Sequence, residues 1–280
     1  MESRAPAAAA ERTSRAGRNL PAAVAVGLTL GGGILLALFT ARHVFVGIVA
    51  AALAVGTWEF AGALRRGGGI TVPVPVLLAG GQAMLWLSWP YGLDGAFVAL
   101  AVTGLACLVW RFRGGANGYV RDVTAALFVL CYLPLLACFA VALVLPQDGA
   151  FRVLAFMVTV VCSDIGGYVA GVLFGRHAMA PTISPKKSWE GFGGSVLLGV
   201  AGATAVVVLG LDAPAWIGLL LGGAVVLTAT VGDLAESLMK RDLGIKDMGT
   251  TLPGHGGLMD RLDSLLPSAL VTWCLLTALV

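Results

Sequence analysis

Residues 237–264 form the most strongly charged part of this sequence. Aspartates alternate there with basic residues, namely Asp242, Asp247, Asp260, Asp263, Lys240, Arg241, Lys246 and Arg261. Carboxylates are the hard oxygen ligands that Mg²⁺ requires, and Mg²⁺ usually takes only one or two of them together with substrate phosphates. Basic side chains can neutralise the remaining oxygens of a polyphosphate. The pattern therefore predicts a site for a divalent cation and a polyanion, with Asp233 and Glu236 just upstream.

A glycine-rich turn, LPGHGG at residues 252–257, lies inside this stretch. Its glycines allow the backbone to approach a ligand closely and to direct N–H groups at an anion. We expect His255 to contact the substrate rather than to act as a general base, because a phosphate nucleophile is already ionised near neutral pH. Asp260 and Asp263 follow at the start of the last helix, one turn apart on a shared face. Favourable interaction with the helix dipole is the alternative reason for carboxylates at that position.

A second basic motif, ISPKKSWEGFGGS, occupies residues 183–195. It places the ammonium groups of Lys186 and Lys187 and the hydroxyls of Ser184 and Ser188 directly before a predicted helix. Free N–H groups at a helix N-terminus and flexible lysines both suit phosphate oxygens. The alternative is an ordinary cytoplasmic membrane anchor, with Trp189 at the lipid interface.

Two carboxylates, Glu59 and Asp164, lie inside apolar runs. A carboxylate within a bilayer costs several kcal/mol unless it faces protein, water or a cation. Asp164 shares a helical face with Tyr168, and nearby glycines allow a neighbouring helix or a ligand to approach. Tight helix packing around one interfacial aspartate is the alternative. For Glu59 we expect an ion pair with Arg65 or Arg66, or a position at the membrane interface.

The composition shows what kind of protein must hold these residues. Apolar residues make up 58% of the 280 and charged residues only 12%, with a mean hydropathy of +0.92. A water-soluble domain has about a quarter of its residues charged. The chain is therefore predicted to be an integral membrane protein. The five cysteines all lie in apolar runs without metal-ligand spacing, so we interpret them as small buried hydrophobic residues.

Apolar runs of about 20 residues, the length that crosses a bilayer, occur repeatedly. They predict nine transmembrane helices, at residues 21–40, 44–64, 70–89, 95–110, 123–145, 151–174, 191–210, 214–232 and 265–280. With the N-terminus in the cytoplasm, 16 of the 18 basic residues fall on the inner side, and only Arg42 and Arg152 fall outside. This agrees with the positive-inside rule. The predicted fold is thus an all-α polytopic membrane protein with its C-terminus on the outer side.

The predicted helices divide the chain into three parts. Residues 1–20 are predicted to be a disordered cytoplasmic tail, and residues 21–145 the N-terminal transmembrane helices. Residues 146–280 form the predicted catalytic region, with cytoplasmic loops at 175–190 and 233–264. Positive charge on the cytoplasmic side favours chemistry at the membrane surface, and no module for nucleic-acid binding is visible.

The charged stretch resembles, in residue types and spacing, the signature of the phosphatidate cytidylyltransferase (CDP-diacylglycerol synthase) family. The matching positions are Ser237, Lys240, Arg241, Lys246, Asp247, Gly249, Leu252, Pro253, His255, Gly256, Gly257, Asp260, Arg261 and Asp263. The resemblance extends upstream through Asp164, Tyr168, SPKKSWEG and the Gly232-Asp233 pair. The N-terminal half is similar only in its string of helices and in a Trp-Glu pair on the second. Ser188 and Gly167 depart from the Thr and Ala that relatives often carry, but the hydroxyl is kept and only a methyl is lost.

The resemblance implies transfer of the cytidylyl group of CTP to phosphatidate, giving CDP-diacylglycerol and pyrophosphate in phospholipid biosynthesis. It implies a bacterial cell membrane with the site facing the cytoplasm, Mg²⁺ as cofactor, and room for a second, monovalent cation such as K⁺. A homodimer is compatible with it, and surrounding membrane lipids are the other expected partners.

The resemblance also assigns roles to individual residues. Catalytic roles fall to Asp233, Lys240, Arg241, Lys246, Asp247, His255, Asp260 and Arg261. Substrate binding falls to Tyr168, Ser184, Lys186, Lys187, Ser188, Ser237, Gly256 and Gly257. The expected metal ligands are Asp260 and Asp233, with Asp164 and Asp263 as partners or ligands of a second site.

Two other functions remain open. A CTP-dependent polyprenol kinase also combines CTP with many membrane helices, but it transfers the γ-phosphate to an alcohol. A membrane transporter would account for the helices and for an intramembrane Asp164, although not for charged chemistry in cytoplasmic loops, and no inverted repeat is visible. A CDP-alcohol phosphotransferase is disfavoured because its paired DG and AR motif is absent.

Overall fold

The computed structural model describes residues 31–249, 251 and 257–280. The predicted tail at 1–20, the first part of the first predicted span, His255 and Gly256 lie outside these described residues. Nine helices are present in the described part: α1 (Gly31–Thr40), α2 (Arg42–Gly68), α3 (Val74–Arg111), α4 (Tyr119–Leu130), α5 (Leu136–Val144), α6 (Gly149–Phe174), α7 (Trp189–Gly210), α8 (Ala215–Asp242) and α9 (Met259–Leu279). The expected all-α membrane architecture is confirmed, because lipid offers the backbone no hydrogen-bond partner and helices satisfy it internally.

Shorter elements join the helices. A 3₁₀ turn at Phe112–Gly114 follows α3, and a π-helical turn at Cys131–Leu135 makes α4 and α5 one continuous rod. That turn contains Pro134, which cannot donate the usual backbone hydrogen bond. Strands β1 (Ala178–Ala180) and β2 (Ser184–Ser188) form an antiparallel hairpin between α6 and α7. Among the described residues, seven helical segments are long and apolar enough to cross a membrane.

The helix α3 folds back on itself near its middle. A straight helix of its 38 residues would be about 57 Å long, whereas the hydrocarbon core of a bilayer is about 30 Å thick. Gly92, two residues after Pro90, breaks the helix with φ 59° and ψ −152°. Gly80 lies before this break and Thr103 after it, and they pack so closely that a side chain at position 80 would overlap that of Thr103. The two arms of α3 therefore correspond to the predicted spans 70–89 and 95–110.

The two predicted cytoplasmic loops are more ordered than expected. Helix α8 continues to Asp242 instead of ending near residue 232, and α9 begins at Met259 instead of near residue 265. The connection between them is therefore residues 243–258, shorter than the predicted loop 233–264. Within the predicted loop 175–190, the hairpin of β1 and β2 gives the lysine motif an extended backbone.

The helix ends that carry basic residues lie together at one end of the bundle. The start of α4 contacts the end of α2, where Arg121 donates a hydrogen bond to the carbonyl of Gly69 (3.1 Å). The end of α2 also meets the end of α8, since Gly67 packs directly on the carbonyl of Leu243. Arg241 of α8 in turn donates to the carbonyl of Ile183 in the hairpin (3.4 Å).

Arg42 and Arg152, the two basic residues that do not follow the positive-inside rule, lie at the opposite end of the bundle. Arg42 donates to the carbonyls of Pro146 (2.7 Å) and Gln147 (2.6 Å). Arg152 pairs with Asp148 (2.9 Å) and donates to the carbonyl of Leu276 (2.9 Å). Both guanidinium groups therefore bind the protein's own helix termini, where the helix dipole favours a cation.

Glycines allow α6 and α7 to cross with their backbones in contact. A Cβ at Gly166 would overlap the carbonyl of Gly194, and a Cβ at Gly194 would overlap the carbonyl of Gly166 and the side chain of Ala170. Small residues at such a crossing let membrane helices approach closely. The predicted close packing around the glycines of α6 is therefore confirmed.

We expect Gly194→Ala to lower the melting temperature of the purified protein in detergent. The added methyl group has no space against Gly166, and overpacking of this kind typically costs about 1–3 kcal/mol. Differential scanning fluorimetry of the detergent-solubilised protein measures the effect.

The neighbouring Gly193→Ala substitution is the matched control, because a Cβ at Gly193 meets no atom within 4 Å among the described residues. Since alanine favours a helix over glycine, this variant should melt at the wild-type temperature or slightly above it. Equal melting temperatures for the two variants would contradict the close crossing.

Candidate active site

An open cavity of about 430 Å³ lies where α6, β2, α7, α8 and α9 meet. Nine residues singled out from the sequence line it: Asp164, Tyr168, Lys186, Lys187, Ser188, Asp233, Asp260, Arg261 and Asp263. They come from four separate segments of the chain. The fold thus brings the aspartate of α6, the lysine motif and the charged stretch into one place, which we call the polar cavity.

Helical spacing positions the acidic side chains of the polar cavity. Asp233 and Glu236 lie one turn apart on α8, and side chains at this spacing share a helical face. From the sequence they were predicted to lie in a loop, but the continuation of α8 places them on a helix. Helix α9 crosses close by, because Gly232 packs directly on the carbonyl of Asp263. The carboxylate of Asp263 therefore lies beside those of α8.

Asp233, Glu236 and Asp263 form a compact carboxylate cluster. One oxygen from each lies within 4.8 Å of the others, so that a single cation can reach all three. Glu236 is fully buried, and its Oε1 has no hydrogen-bond partner in the part of the chain that the structure describes. Carboxylates held this close need a cation or a shared proton to offset their repulsion. The donor set and the unpartnered oxygen fit a hard divalent cation such as Mg²⁺.

Glu236 was not among the candidate site residues predicted from the sequence. The signal that could have found it is its position three residues after Asp233, which places both on one face only if the helix continues past residue 232. Because hydropathy placed the end of the helix near residue 232, Glu236 was assigned to a loop and its shared face with Asp233 was not recognised.

Lys240 joins α8 to α9 through the acidic residues. Its Nζ lies 3.0 Å from Oε2 of Glu236 and 2.8 Å from Oδ1 of Asp260. The other oxygen of Asp260 accepts a hydrogen bond from the backbone N–H of Gly257 (2.8 Å). Asp260 is therefore fixed on both sides, and its side chain still lines the polar cavity.

Lys187 brings a positive charge into the polar cavity from the hairpin. Its ammonium forms an ion pair with Asp233, and the side chain is half-buried. Burial lowers the pKa of the Lys187 ammonium below its ordinary value, while the negative charges of Asp263 and Asp164 act in the opposite direction. A cation that is held here at a desolvation cost is suited to receive an anionic ligand.

The hairpin that carries the lysines is fixed at its base. Ser188 caps α7, because its Oγ accepts the N–H of Gly191 (3.1 Å). Glu190 accepts the backbone N–H groups of Arg176 (3.1 Å) and His177 (3.3 Å) and contacts Nδ1 of His177 (2.6 Å). The hydroxyl of Ser188 is thus already engaged by the protein, although the residue lines the polar cavity.

Several predicted site residues lie outside the lining of the polar cavity in the described structure: Ser184, Ser237, Lys240, Arg241, Lys246, Asp247 and Gly257. Arg241, Lys246 and Asp247 are exposed at the end of α8 and in the connection that follows it. The catalytic roles of these residues stay predictions, as do the roles of His255 and Gly256 outside the described residues.

The prediction that Glu59 forms an ion pair was wrong. In the described structure it makes no ion pair with Arg65 or Arg66, and it is buried with only 6% of its surface exposed. It accepts hydrogen bonds from Thr251 and from the backbone N–H of Met259. The guanidinium of Arg66 instead donates to the carbonyl of Met248 (2.9 Å). Proximity along α2 suggested the ion pair, whereas the contacts lie about 200 residues away in sequence.

Comparison with known proteins matches almost the whole chain. Residues 21–279 match the model of the cytidylyltransferase family. The chain belongs to this family. It is 46% identical to the phosphatidate cytidylyltransferase of Mycobacterium leprae, over 96% of this chain and 91% of the relative. It is 47% identical to the phosphatidate cytidylyltransferase of Mycobacterium bovis, over 96% and 92%.

A more distant cytidylyltransferase shares only part of the sequence. The phosphatidate cytidylyltransferase of Pseudomonas aeruginosa is 44% identical over 128 residues, which cover 45% of this chain and 47% of the relative. Membership of the cytidylyltransferase family accounts for the resemblance of the signature noted from the sequence, and it agrees with a cavity that combines carboxylates and basic side chains.

We expect Lys187→Ala to weaken nucleotide binding more than turnover. Loss of one charge-assisted contact should raise the KM for CTP by about tenfold, with kcat changed less. Steady-state kinetics at saturating lipid substrate measures the two constants.

Arg113→Ala is a suitable control, since Arg113 lies beside Trp110 outside the lining of the polar cavity. An unchanged KM for both substrates in the Lys187 variant would count against a phosphate contact.

Proposed function

We propose that the protein transfers the cytidylyl group of CTP to phosphatidate, giving CDP-diacylglycerol and pyrophosphate. Similarity along nearly the whole chain to proteins named phosphatidate cytidylyltransferase supports this activity. The observation that carries the assignment of the site is the polar cavity, where carboxylates of α8 and α9 lie beside Lys187 and Arg261.

In the proposed reaction an oxygen of the phosphatidate phosphate attacks the α-phosphorus of CTP. A new P–O bond forms while the bond to the departing pyrophosphate breaks in line with it. The attacking phosphate is already ionised near neutral pH, so the chain need not supply a general base. Catalysis then rests on positioning the two anions and offsetting their charge.

We assign the cation to the acidic side of the polar cavity. Asp233 and Asp263, with Glu236, offer oxygens to one ion, and Asp260 and Asp164 line the same cavity within reach of a second ligand or ion. A bound Mg²⁺ would neutralise oxygens of the triphosphate. A second, monovalent cation such as K⁺ remains part of the proposal.

The basic side chains are assigned to the substrate phosphates. Lys186 and Lys187 approach from the hairpin and Arg261 from α9, so that phosphates in the polar cavity would be contacted from opposite walls. Lys240 has a different task in this proposal, because its ammonium bridges Glu236 and Asp260 and thereby keeps α8 and α9 in register.

We further propose nine membrane crossings, with the N-terminus and the polar cavity on the cytoplasmic side of a bacterial plasma membrane. Basic helix ends gather at the end of the bundle that bears the hairpin, which is the distribution expected of a cytoplasmic face. Arg42 and Arg152, at the other end, are bound to backbone carbonyls. Tyr168 is 74% exposed beside the polar cavity and would meet a lipid substrate that enters from the bilayer.

The proposed activity is tested by incubating the purified protein with CTP labelled at the α-phosphate, phosphatidate and Mg²⁺. Label should enter organic-extractable CDP-diacylglycerol. With Asp260→Asn the rate should fall by about a hundredfold or more, because the cavity loses a carboxylate that would hold a cation against the reacting phosphates. Asp148→Asn is the control, since Asp148 lies at the start of α6, far from the cavity end of that helix.

Labelling at the γ-phosphate separates the alternatives. Transfer of γ-label to lipid would identify a CTP-dependent kinase and contradict cytidylyl transfer. Absence of any labelled lipid from folded protein, across several cations and acyl chains, would contradict both lipid-modifying functions.

Glu236→Gln tests the cation assignment. Losing one charge from the cluster should raise the Mg²⁺ concentration for half-maximal rate by about 10–100-fold, with partial recovery of activity at high Mg²⁺. Titration of the rate with Mg²⁺ after treatment with a chelator measures this. A wild-type Mg²⁺ requirement would remove Glu236 from the cation site.

A further inference from the structure

We propose that Glu59 is a positioning residue of the active site, whose carboxylate on α2 holds the α8–α9 connection at Thr251 and the start of α9 at Met259, and thereby places Asp260 and Asp263. This inference rests on the proposed site in the polar cavity. It adds to that site a residue from the N-terminal half of the chain, for which no catalytic role was predicted.

The carboxylate of Glu59 contacts two separated points of the connection. Its Oε1 accepts hydrogen bonds from the backbone N–H (3.2 Å) and from the hydroxyl of Thr251. Its Oε2 accepts the backbone N–H of Met259 (2.9 Å). One rigid group therefore sets the distance between residues 251 and 259.

The second contact lies at the beginning of the helix that carries the acidic residues. The first N–H groups of a helix have no partner within it and are usually capped by a Ser, Thr, Asp or Asn side chain. Helix α9 begins at Met259, and the residue before it, Leu258, cannot cap. Glu59 accepts the N–H of Met259 instead, and its negative charge suits the positive end of the helix dipole. The cap of α9 thus comes from α2.

Two glycines make room for this carboxylate. A Cβ at Gly249 or at Gly257 would overlap the side chain of Glu59, and a Cβ at Gly257 would also crowd the backbone of Gly249. Gly257 in turn donates its N–H to Asp260 (2.8 Å). A short path therefore runs from Glu59 through the backbone at 257–259 to the carboxylate of Asp260.

Helix α2 contacts described residues of the α8–α9 connection and of the start of α9. Gly56 contacts Leu262, Glu59 contacts Met259, Arg66 donates to the carbonyl of Met248 (2.9 Å), and Gly67 packs on Leu243. Glu59 lies three residues after Gly56, and Arg66 and Gly67 lie seven and eight residues after Glu59, which places all of them on one side of the helix. Helix α2 therefore contacts Leu243, Met248, Met259 and Leu262 in the described structure.

Because Glu59 is buried, its carboxylate depends on the donors that it holds as much as they depend on it. An ionised carboxylate out of water is costly unless its oxygens accept hydrogen bonds, and in the described structure the donors to Glu59 come from the connection and the start of α9. Glu59 does not line the polar cavity in that structure. Its influence on the reaction therefore passes through the backbone.

The test is the Glu59→Gln variant. Its amide keeps one acceptor oxygen, but an NH₂ group replaces the other oxygen and cannot accept a hydrogen bond from the donors on that side. We expect kcat to fall by about tenfold or more, while the KM values for CTP and phosphatidate stay within about threefold. Hydrogen–deuterium exchange of peptides that contain the amides of Thr251 and Met259 should become faster by about tenfold or more.

Thr251→Val provides a milder variant, because it removes only the hydroxyl that Glu59 accepts. It should lower kcat by a smaller factor and also speed exchange at these amides. Asp148→Asn is the matched carboxylate-to-amide control and should leave kcat and exchange unchanged.

Wild-type kcat or wild-type exchange in Glu59→Gln would overturn the inference. If that variant does not fold, a wild-type kcat in Thr251→Val would overturn it and make Glu59 a residue of folding alone. Failure of the proposed site is distinguished by Asp260→Asn: full activity there would displace the site, whereas the exchange measurement would still report whether Glu59 holds the connection.

Discussion

Electrostatic repulsion among carboxylates at the junction of α8 and α9 is the constraint on which the C-terminal half is built. Asp233, Glu236 and Asp263 lie within reach of one cation, in surroundings where a low dielectric strengthens every charge interaction. Lys240 reduces the repulsion by bridging the two helices, and Lys187 reduces it from the hairpin. The close helix crossing at Gly232 keeps the charges together. A bound cation would offset the same repulsion that opposes packing of α8 against α9, so cation binding and helix packing are coupled.

The class of the protein and most of its acidic and basic chemistry could be predicted from the sequence. Hydropathy marks the membrane helices because lipid must surround them, and the charged stretch stands out because charge in such a chain is costly. Asp164, the lysine motif and the part of the charged stretch at the start of α9 line one cavity. Hydropathy is less suited to finding where a helix ends, since a helix does not stop where its residues become polar. Helix α8 therefore extended ten residues beyond its predicted end and brought in Glu236.

Long-range contacts are the part that the sequence could not supply. Glu59 lies six and seven residues from Arg65 and Arg66, and local spacing favoured an ion pair. Its partners instead lie in the segment before α9. A one-dimensional pattern carries no information on which buried carboxylate will meet which unpaired N–H group. The turn at Gly92 is intermediate: proline and glycine indicated an interruption, but only the contact of Gly80 with Thr103 shows that the chain reverses there.

The capping of α9 by a side chain of α2 also has a consequence for biosynthesis. Chains emerge from the ribosome N-terminus first, so α2 enters the membrane long before α9 is made. Until then the carboxylate of Glu59 lacks the donors that it has in the finished protein, and it must be satisfied by water, a proton or a transient partner. The last helix supplies an N–H for this carboxylate when it docks. Assembly of the site is thereby linked to completion of the chain.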